Sequence, residues 1–148
     1  MNQFVTAVFL TIISSIPLVA DEVWHTSFRE ARDKARELKV PLILNFTGSD
    51  WCVWCQKLES ELYSDTKFIE AANEKYVAVK LDFPRRKRLP LKLERQNNEL
   101  QHKFAVRAYP TVIWLEAASG REIYRHNYLQ TDAEMYILQL GKLADLNR

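Results

Sequence analysis

Two cysteines three positions apart lie where an apolar segment meets a helical pattern, and this junction limits the fold more than any other feature of the chain. Residues 41–46 have the length and apolarity of a buried strand, and residues 57–63 have the spacing of an amphipathic helix. A helix that begins at Cys52 places that sulfur beside unpaired backbone N–H groups and the positive end of the helix dipole. Because this environment stabilises the thiolate, which is the nucleophilic form of cysteine, the sequence predicts a reactive site at Cys52.

The Cys52–Cys55 pair is predicted to exchange disulfides with other molecules. Helical positions i and i+3 are neighbours, so the two sulfurs can bond without backbone movement. Cys52, expected nearer solvent, would attack a substrate disulfide, and the more buried Cys55 would then attack Cys52 and release the reduced substrate. Two other interpretations are weaker. The first is a purely structural disulfide, but a cross-link that closes four residues restricts the unfolded chain little. The second is a zinc site, which needs four ligands. It would require a bridged dimer, because none of the three histidines shows ligand spacing to the pair: His25, His102 and His126.

The first twenty residues differ from the rest of the chain and predict a secretory signal peptide. Residues 1–20 contain no charged side chain and are mostly apolar up to Pro17. Acidic residues follow directly, so cleavage is expected after Ala20, and residues 21–148 would form the mature domain, with no membrane insertion. An uncleaved anchor and a buried N-terminal element are the alternatives, but the apolar run is shorter than the ~20 residues of a spanning helix. Export implies a periplasm or a similar oxidising compartment.

Composition limits the partners of the domain. The 148 residues, 47% of them hydrophobic, suit one compact domain, and a monomer is expected. The formal net charge of +2 does not indicate a nucleic-acid partner. A local exception is the run Arg-Arg-Lys-Arg at residues 85–88. Such a run is usually a solvated loop, and a docking surface for an acidic partner is the alternative.

Alternating helix and strand patterns predict an α/β domain. Ser27 and Thr131 begin capping-box patterns, and Asp65 is placed to cap a short helix. Strands separated by helices form parallel pairs, whereas the last two strands form an antiparallel hairpin. The expected architecture is a central mixed β-sheet flanked by helices on both faces. The predicted helices are residues 27–39, 52–63, 91–104 and 131–143 with the short helix from Asp65, and the predicted strands are residues 40–47, 76–81, 112–115 and 122–126.

These motifs resemble the thioredoxin superfamily over essentially the whole mature chain. The resemblance rests on residues 51–55 (Trp-Cys-Val-Trp-Cys) after an apolar strand and on residues 109–111 (Tyr-Pro-Thr) before the hairpin. Residues 46–52 and 80–86 further resemble exported bacterial thioredoxin-like proteins of the DsbH type. The resemblance implies a thioredoxin fold and a thiol–disulfide oxidoreductase whose redox group is the cysteine pair itself, without a bound cofactor or metal.

The resemblance also implies a substrate groove around the cysteines. Pro110 is expected to be the cis-proline that faces them, with an ordinary trans proline as the alternative. Tyr109 and Thr111, on either side of Pro110, are expected to line the groove. Trp51 is expected to pack at the edge of the active site. An exposed Trp54 would add apolar contact area for flexible substrates, and partial burial in the core is the alternative.

The sequence departs from the thioredoxin pattern in two places. Asn45 stands where the family has a buried acid that moves the proton of the second cysteine. Water, or Lys80 if it points the same way, would therefore have to carry the proton of Cys55. The dipeptide Val53-Trp54 contains no His, a residue that can stabilise the Cys52 thiolate and make the disulfide more oxidising. Its absence favours a reductase of protein disulfides.

Two alternatives to a periplasmic reductase remain open at this stage. The same cysteines could serve a disulfide oxidase or isomerase. A redox-silent binding module or chaperone could instead use the Trp-rich groove, and it would keep its activity without Cys52. A reductase in an oxidising compartment needs electrons, and the resemblance points to a DsbD-type membrane reductase as the donor, with protein disulfides and thiols as substrates.

Overall fold

The structure, a computed structural model, describes residues 23–145, so the predicted signal peptide and its cleavage after Ala20 lie outside the described residues. Within this range, no helix is long and apolar enough to cross a bilayer. The elements are β1 (Trp24–His25), α1 (Phe28–Leu38), β2 (Leu42–Thr47), α2 (Val53–Leu58), which continues as a π-helical segment (Glu59–Tyr63), α3 (Thr66–Lys75), β3 (Val77–Asp82), α4 (Leu91–Lys103), β4 (Thr111–Leu115), β5 (Glu122–His126) and α5 (Ala133–Asp145).

The strands form one mixed sheet in the order β1-β3-β2-β4-β5. β1, β3 and β2 run parallel, whereas β2 with β4 and β4 with β5 are antiparallel pairs. The central strand β2 therefore has a partner on each side along most of its length. This arrangement confirms the predicted mixed sheet. The sequence missed β1, because two residues are too short to show a strand period.

Alternate residues of β2 face opposite sides of the sheet, and helices cover both sides. Leu44 and Phe46 pack in one cluster with residues of α1 and α4. Ile43 packs in the other cluster with Trp114 and residues of α2, its π-helical continuation, α3 and α5. Because side chains alternate along a strand, Asn45 points to the same side as Ile43, the side that α2 covers. The predicted helices on both faces are confirmed.

Side-chain caps begin the helices close to the predicted positions. Ser27 and Asp65 each accept a hydrogen bond from a backbone N–H in the first turn of α1 and α3, as expected. The predicted cap of the C-terminal helix is wrong by one residue. Met135 N donates to Asp132 Oδ1 at 2.8 Å, so Asp132 rather than Thr131 caps α5. Threonine and aspartate can both cap a helix, so the sequence alone did not distinguish Thr131 from Asp132.

His126 has a structural position at the end of β5. Its Nε2 lies 2.8 Å from the Tyr136 hydroxyl on α5, and its Nδ1 lies 2.6 Å from the Asn127 carbonyl oxygen. Burial lowers the pKa of the imidazole because it penalises the charged form. His126 therefore joins the hairpin to α5.

Candidate active site

A tight turn after β2 places Cys52 at the start of α2. The Gly48 carbonyl oxygen accepts hydrogen bonds from Trp51 N at 3.3 Å and Cys52 N at 2.9 Å. Cys52 is the N-cap of α2, and its Sγ accepts a hydrogen bond from Cys55 N at 3.2 Å. The two cysteines form a disulfide, with their Cα atoms 5.2 Å apart. The Cys52 sulfur thus occupies a position where a backbone N–H can stabilise negative charge.

The two cysteines differ in their hydrogen bonds more than in their exposure. Cys52 is 6% exposed and Cys55 is 4% exposed, so the difference on which the sequence argument relied is small in the disulfide form. Gly48 N donates to Cys55 Sγ at 3.4 Å, inside the turn. The Cys52 sulfur thus accepts a hydrogen bond from the first turn of α2, whereas the Cys55 sulfur accepts one from the residue that follows β2.

Trp51 fills the space between the turn and the loop that follows β3. Its Nε1 donates to the Phe83 carbonyl oxygen at 2.7 Å, and its ring meets the Tyr109 ring edge-on at a centroid distance of 5.6 Å. The Arg85 guanidinium lies 3.8 Å from the centroid of the Trp51 ring. A Cβ at Gly48 would lie 2.6 Å from Trp51 Nε1, so only glycine leaves room for the indole. No local pattern in the sequence indicated the close approach of Trp51 to Gly48 or the contact of Arg85 with Trp51.

The segment before β4 has the predicted unusual backbone. The Tyr109–Pro110 peptide bond is cis. Asn127 Nδ2 donates to the Pro110 carbonyl oxygen and to Thr111 Oγ1, both at 3.0 Å, and so ties this segment to the end of β5. Gln101 Nε2 donates to the Tyr109 hydroxyl at 2.6 Å. Tyr109 is therefore held from α4 on one side, while its ring contacts Trp51 on the other.

On α2, Trp54 projects outward and forms an aromatic surface. The residue is 54% exposed, which rules out the alternative of core burial, and Val53 beside it is 69% exposed. The Trp54 ring lies 4.9 Å from the Tyr128 ring, centroid to centroid, and Lys57 Nζ lies over both rings. The Tyr128 hydroxyl donates to Glu61 Oε2 at 2.8 Å, which holds the ring in place. Tyr128 had no signal in the sequence, because it comes from the loop after β5.

A carboxylate, Glu59, lies on the helix of the cysteine pair and not on β2. Asn45 is buried, and its Oδ1 has no hydrogen-bond partner among the described residues. Lys80 pairs with Asn45 in the sheet register, and its Nζ lies 3.0 Å from Glu59 Oε1. Glu59 N donates to the Cys55 carbonyl oxygen, so Glu59 follows Cys55 by one helical turn. The sequence pointed to Lys80 but not to Glu59, although the i+4 spacing of Glu59 from Cys55 was an available signal.

A sequence model of the thioredoxin-like domain matches residues 28–141. The chain belongs to the thioredoxin-like family. The disulfide bond reductase DsbH of Chlamydia pneumoniae is 27% identical over 130 residues, which cover 88% of this chain and 78% of that protein. The thioredoxin-related protein DsbJ of the same organism is 34% identical over 103 residues, and the match spans 70% of this chain but only 29% of DsbJ.

Solved structures agree with this family assignment. A DsbH oxidoreductase superimposes with a TM-score of 0.77 at 27% identity, covering 83% of this chain and 84% of that one. A thioredoxin from Thermus thermophilus has a TM-score of 0.63 at 17% identity over 84% of this chain and 88% of its own, which shows the shared fold alone. The resemblance to the thioredoxin superfamily, and to DsbH within it, is confirmed.

The site has the parts that thiol–disulfide exchange requires in this family. Cys52 of the disulfide caps a helix, Trp51 before it contacts Tyr109, and the Tyr109–Pro110 peptide bond is cis. Residues 23–145 contain no cluster of three or more His, Cys, Asp or Glu side chains that could hold a metal ion. The Cys52–Cys55 pair and the similarity to the disulfide bond reductase DsbH make the chain a thiol–disulfide oxidoreductase of the thioredoxin-like family.

The close contact at Gly48 predicts the effect of adding one methyl group. In Gly48→Ala the Trp51 ring must move, and it then loses its hydrogen bond to Phe83. We expect the free energy of unfolding to fall by about 1–3 kcal/mol, as for other overpacked sites, and the tryptophan emission to shift. Urea titration followed by fluorescence measures both changes.

Gly141→Ala is the matched control, because a Cβ at Gly141 meets nothing within 4 Å and lies in helix α5. Its unfolding free energy should stay the same or rise by up to about 1 kcal/mol. Equal stability of the two variants would contradict the proposed close packing of Trp51 against Gly48.

Proposed function

We propose that this oxidoreductase reduces protein disulfides in the periplasm, with Cys52 as the nucleophile and Cys55 as the resolving cysteine. The observation that carries the proposal is the position of Cys52 Sγ at the N-cap of α2, where it accepts the N–H of Cys55 at 3.2 Å. The name of DsbH as a disulfide bond reductase supports the direction of the reaction. The predicted signal peptide, residues 1–20, supports the compartment.

The reaction begins with both cysteines reduced and ends with the disulfide that the structure contains. The Cys52 thiolate attacks one sulfur of the substrate disulfide, and the other substrate sulfur leaves as a thiolate and takes up a proton. Cys55 then loses its proton and attacks Cys52 Sγ, which breaks the mixed disulfide and releases the second substrate thiolate. Two electrons pass to the substrate, and the protein retains the Cys52–Cys55 bond.

The groove for the substrate lies between two aromatic groups. Trp51 and Tyr109, whose rings are in contact, would form one wall, and the exposed Trp54 on α2 would form the other. The backbone of Tyr109, just before Pro110, would pair with an extended segment of the substrate, as a sheet edge pairs with an added strand. Exposed aromatic rings suit brief binding of many sequences, because they supply contact area without fixed hydrogen bonds.

Glu59 is the carboxylate placed to accept the proton of Cys55, directly or through a water molecule. It follows Cys55 by one helical turn, and Lys80 holds its carboxylate from the sheet at 3.0 Å. Asn45 cannot take this role because an amide does not ionise at neutral pH. The Glu59 carboxylate on the helix would thus replace the buried acid that the family usually has on the strand.

Electrons for repeated turnover must come from another protein, because the product of the reaction is the oxidised pair. A DsbD-type membrane reductase is the proposed donor, by analogy with the family. Protein disulfides are the proposed substrates. An oxidase or isomerase would use the same cysteines, and the redox potential separates these functions.

Replacing each cysteine separately should stop the reaction at different steps. We expect Cys52→Ser to reduce no insulin disulfide above background, because the nucleophile is missing. Cys55→Ser should form the mixed disulfide but not resolve it, so covalent adducts accumulate on non-reducing gels. Insulin reduction by Cys52→Ser at the wild-type rate would overturn the proposed mechanism.

The redox potential should lie near that of thioredoxin, because the dipeptide between the cysteines contains no His. We expect about −270 mV from equilibration with dithiothreitol or glutathione buffers followed by thiol counting. A potential between about −180 and −120 mV would overturn the assignment as a reductase and indicate an isomerase or oxidase.

Glu59→Gln should slow the resolving step because it removes the proton acceptor. We expect kcat for insulin reduction to fall about tenfold or more near neutral pH, with mixed disulfide accumulating, and the deficit to shrink as pH rises because solvent then deprotonates Cys55. Glu70→Gln, on the exposed side of α3, is the control and should keep the wild-type pH profile. A uniform loss at all pH values would assign Glu59 a structural role.

A further inference from the structure

The exposed basic run at residues 85–88 is held at a defined position beside the cysteine pair. It lies in the loop between β3 and α4, and all its residues are exposed. The Asp50 carboxylate accepts hydrogen bonds from Arg85 N at 2.9 Å and Arg86 N at 2.8 Å. Asp50 is two residues before Cys52, so the backbone of the run is tied directly to the active-site turn.

The four cations of the run differ in their partners. Arg85 stacks on Trp51, and Lys87 Nζ lies 3.2 Å from Asp82 Oδ2. The hydrogen bonds and ion pairs among residues 23–145 include none from the guanidinium groups of Arg86 or Arg88. Two guanidinium groups at the edge of the active site therefore keep their donors for another molecule. Each can bind a carboxylate with two parallel hydrogen bonds.

The surface around the run keeps an excess of positive charge. Residues 48–51 and 82–88 contain four cations and two carboxylates, Asp50 and Asp82, which leaves a net charge of +2. Both carboxylates already have donors in the protein, since Asp50 accepts from the loop backbone and Asp82 accepts from Ser49 N and Oγ. The backbone hydrogen bond from Arg85 lowers the pKa of Asp50, which keeps its carboxylate ionised.

Charge is distributed unevenly around the groove. Glu94 on α4 lines the outer side of the loop and offsets part of the excess charge there. On the other side of the cysteines, Trp54 and Tyr128 form the aromatic surface, and Lys57 there is paired with Glu61. A partner that enters the groove thus meets an apolar wall on one side and, on the other, guanidinium groups that donate no hydrogen bond within the described residues.

We propose that Arg86 and Arg88 bind an acidic segment next to the reacting cysteine of the substrate protein, so that substrates with Asp or Glu near the disulfide react preferentially. This inference rests on the proposed reduction of protein disulfides and adds a substrate class to it. Attraction between opposite charges raises the rate of encounter more than the rate of the chemical step. The preference should therefore appear in kcat/KM and should weaken with salt, because the run is exposed.

The test uses three peptides that contain the same disulfide loop with acidic, neutral or basic flanking residues. We expect wild type to reduce the acidic peptide with a kcat/KM about tenfold above that of the basic peptide at low ionic strength. The ratio should approach one at about 0.5 M salt, where screening acts within a few ångströms. Stopped-flow fluorescence of the tryptophans follows single turnovers of the reduced protein, so no electron donor is needed.

The variant Arg86→Glu/Arg88→Glu should reverse or abolish the ratio of acidic to basic peptide. Arg86→Gln/Arg88→Gln, which removes charge without adding any, should bring the ratio close to one and serves if the reversal impairs folding. The control Lys75→Glu/Lys142→Glu makes the same change of charge among residues that border a surface depression away from the cysteines, and it should keep the wild-type ratio.

The outcomes separate this inference from the proposed function. Failure of wild type to reduce the neutral peptide would overturn the reductase proposal. Reduction of all three peptides at equal rates would leave the reductase proposal standing and overturn the acidic-substrate site. Binding to vesicles of equal parts phosphatidylglycerol and phosphatidylcholine that Arg86→Glu/Arg88→Glu loses, with no peptide preference, would assign the run to a membrane surface and also overturn it.

Discussion

The hydrogen bonds of Gly48 are the constraint on which the active site depends. Its carbonyl oxygen accepts the N–H of Cys52, and its own N–H donates to Cys55 Sγ, so one residue at the end of β2 holds both cysteines. The missing side chain of Gly48 leaves the space that the Trp51 ring occupies. The positions of Cys52, Cys55 and the Trp51 ring therefore all depend on Gly48. A change at this position would affect all three, although Gly48 itself takes no part in the chemistry.

The topology of the sheet explains why distant segments meet at this turn. β2 and β3 are parallel and end together at the Thr47↔Asp82 pair, so the turn after β2 and the loop after β3 lie side by side. β4 is antiparallel to β2 and starts at the Phe46↔Thr111 pair, which brings the cis-proline segment to the same edge. Three loops thus surround the cysteines, and each is anchored to a strand that is paired on both sides. Such a support keeps the reacting sulfurs in place during brief encounters with substrate.

Two sets of charged groups lie near the cysteine pair. The Lys80–Glu59 salt bridge lies one helical turn after Cys55, and Asn45 occupies the position on β2 where the family has an acid. At the surface, the basic run beside Trp51 faces solvent, and on the opposite side Trp54 provides apolar area. We propose proton transfer within the protein for Glu59 and selection of partners for the exposed cations, whose attraction is screened by salt.

The sequence by itself determined the features that depend on neighbouring residues: the central strand, the helix that starts at Cys52, the hairpin and, through its motifs, the family. Strand and helix periods, caps and turns are local, so they can be read along the chain. The prediction missed strand β1 because the strand is too short to show a period, and it misplaced the cap of α5 because two adjacent residues can both cap a helix. Only the tertiary structure decided the exposure of Trp54, the stacking of Arg85 on Trp51 and the pairing of Lys80 with Glu59. These contacts join residues from different elements, and their distances follow from strand order and packing, which no local pattern encodes.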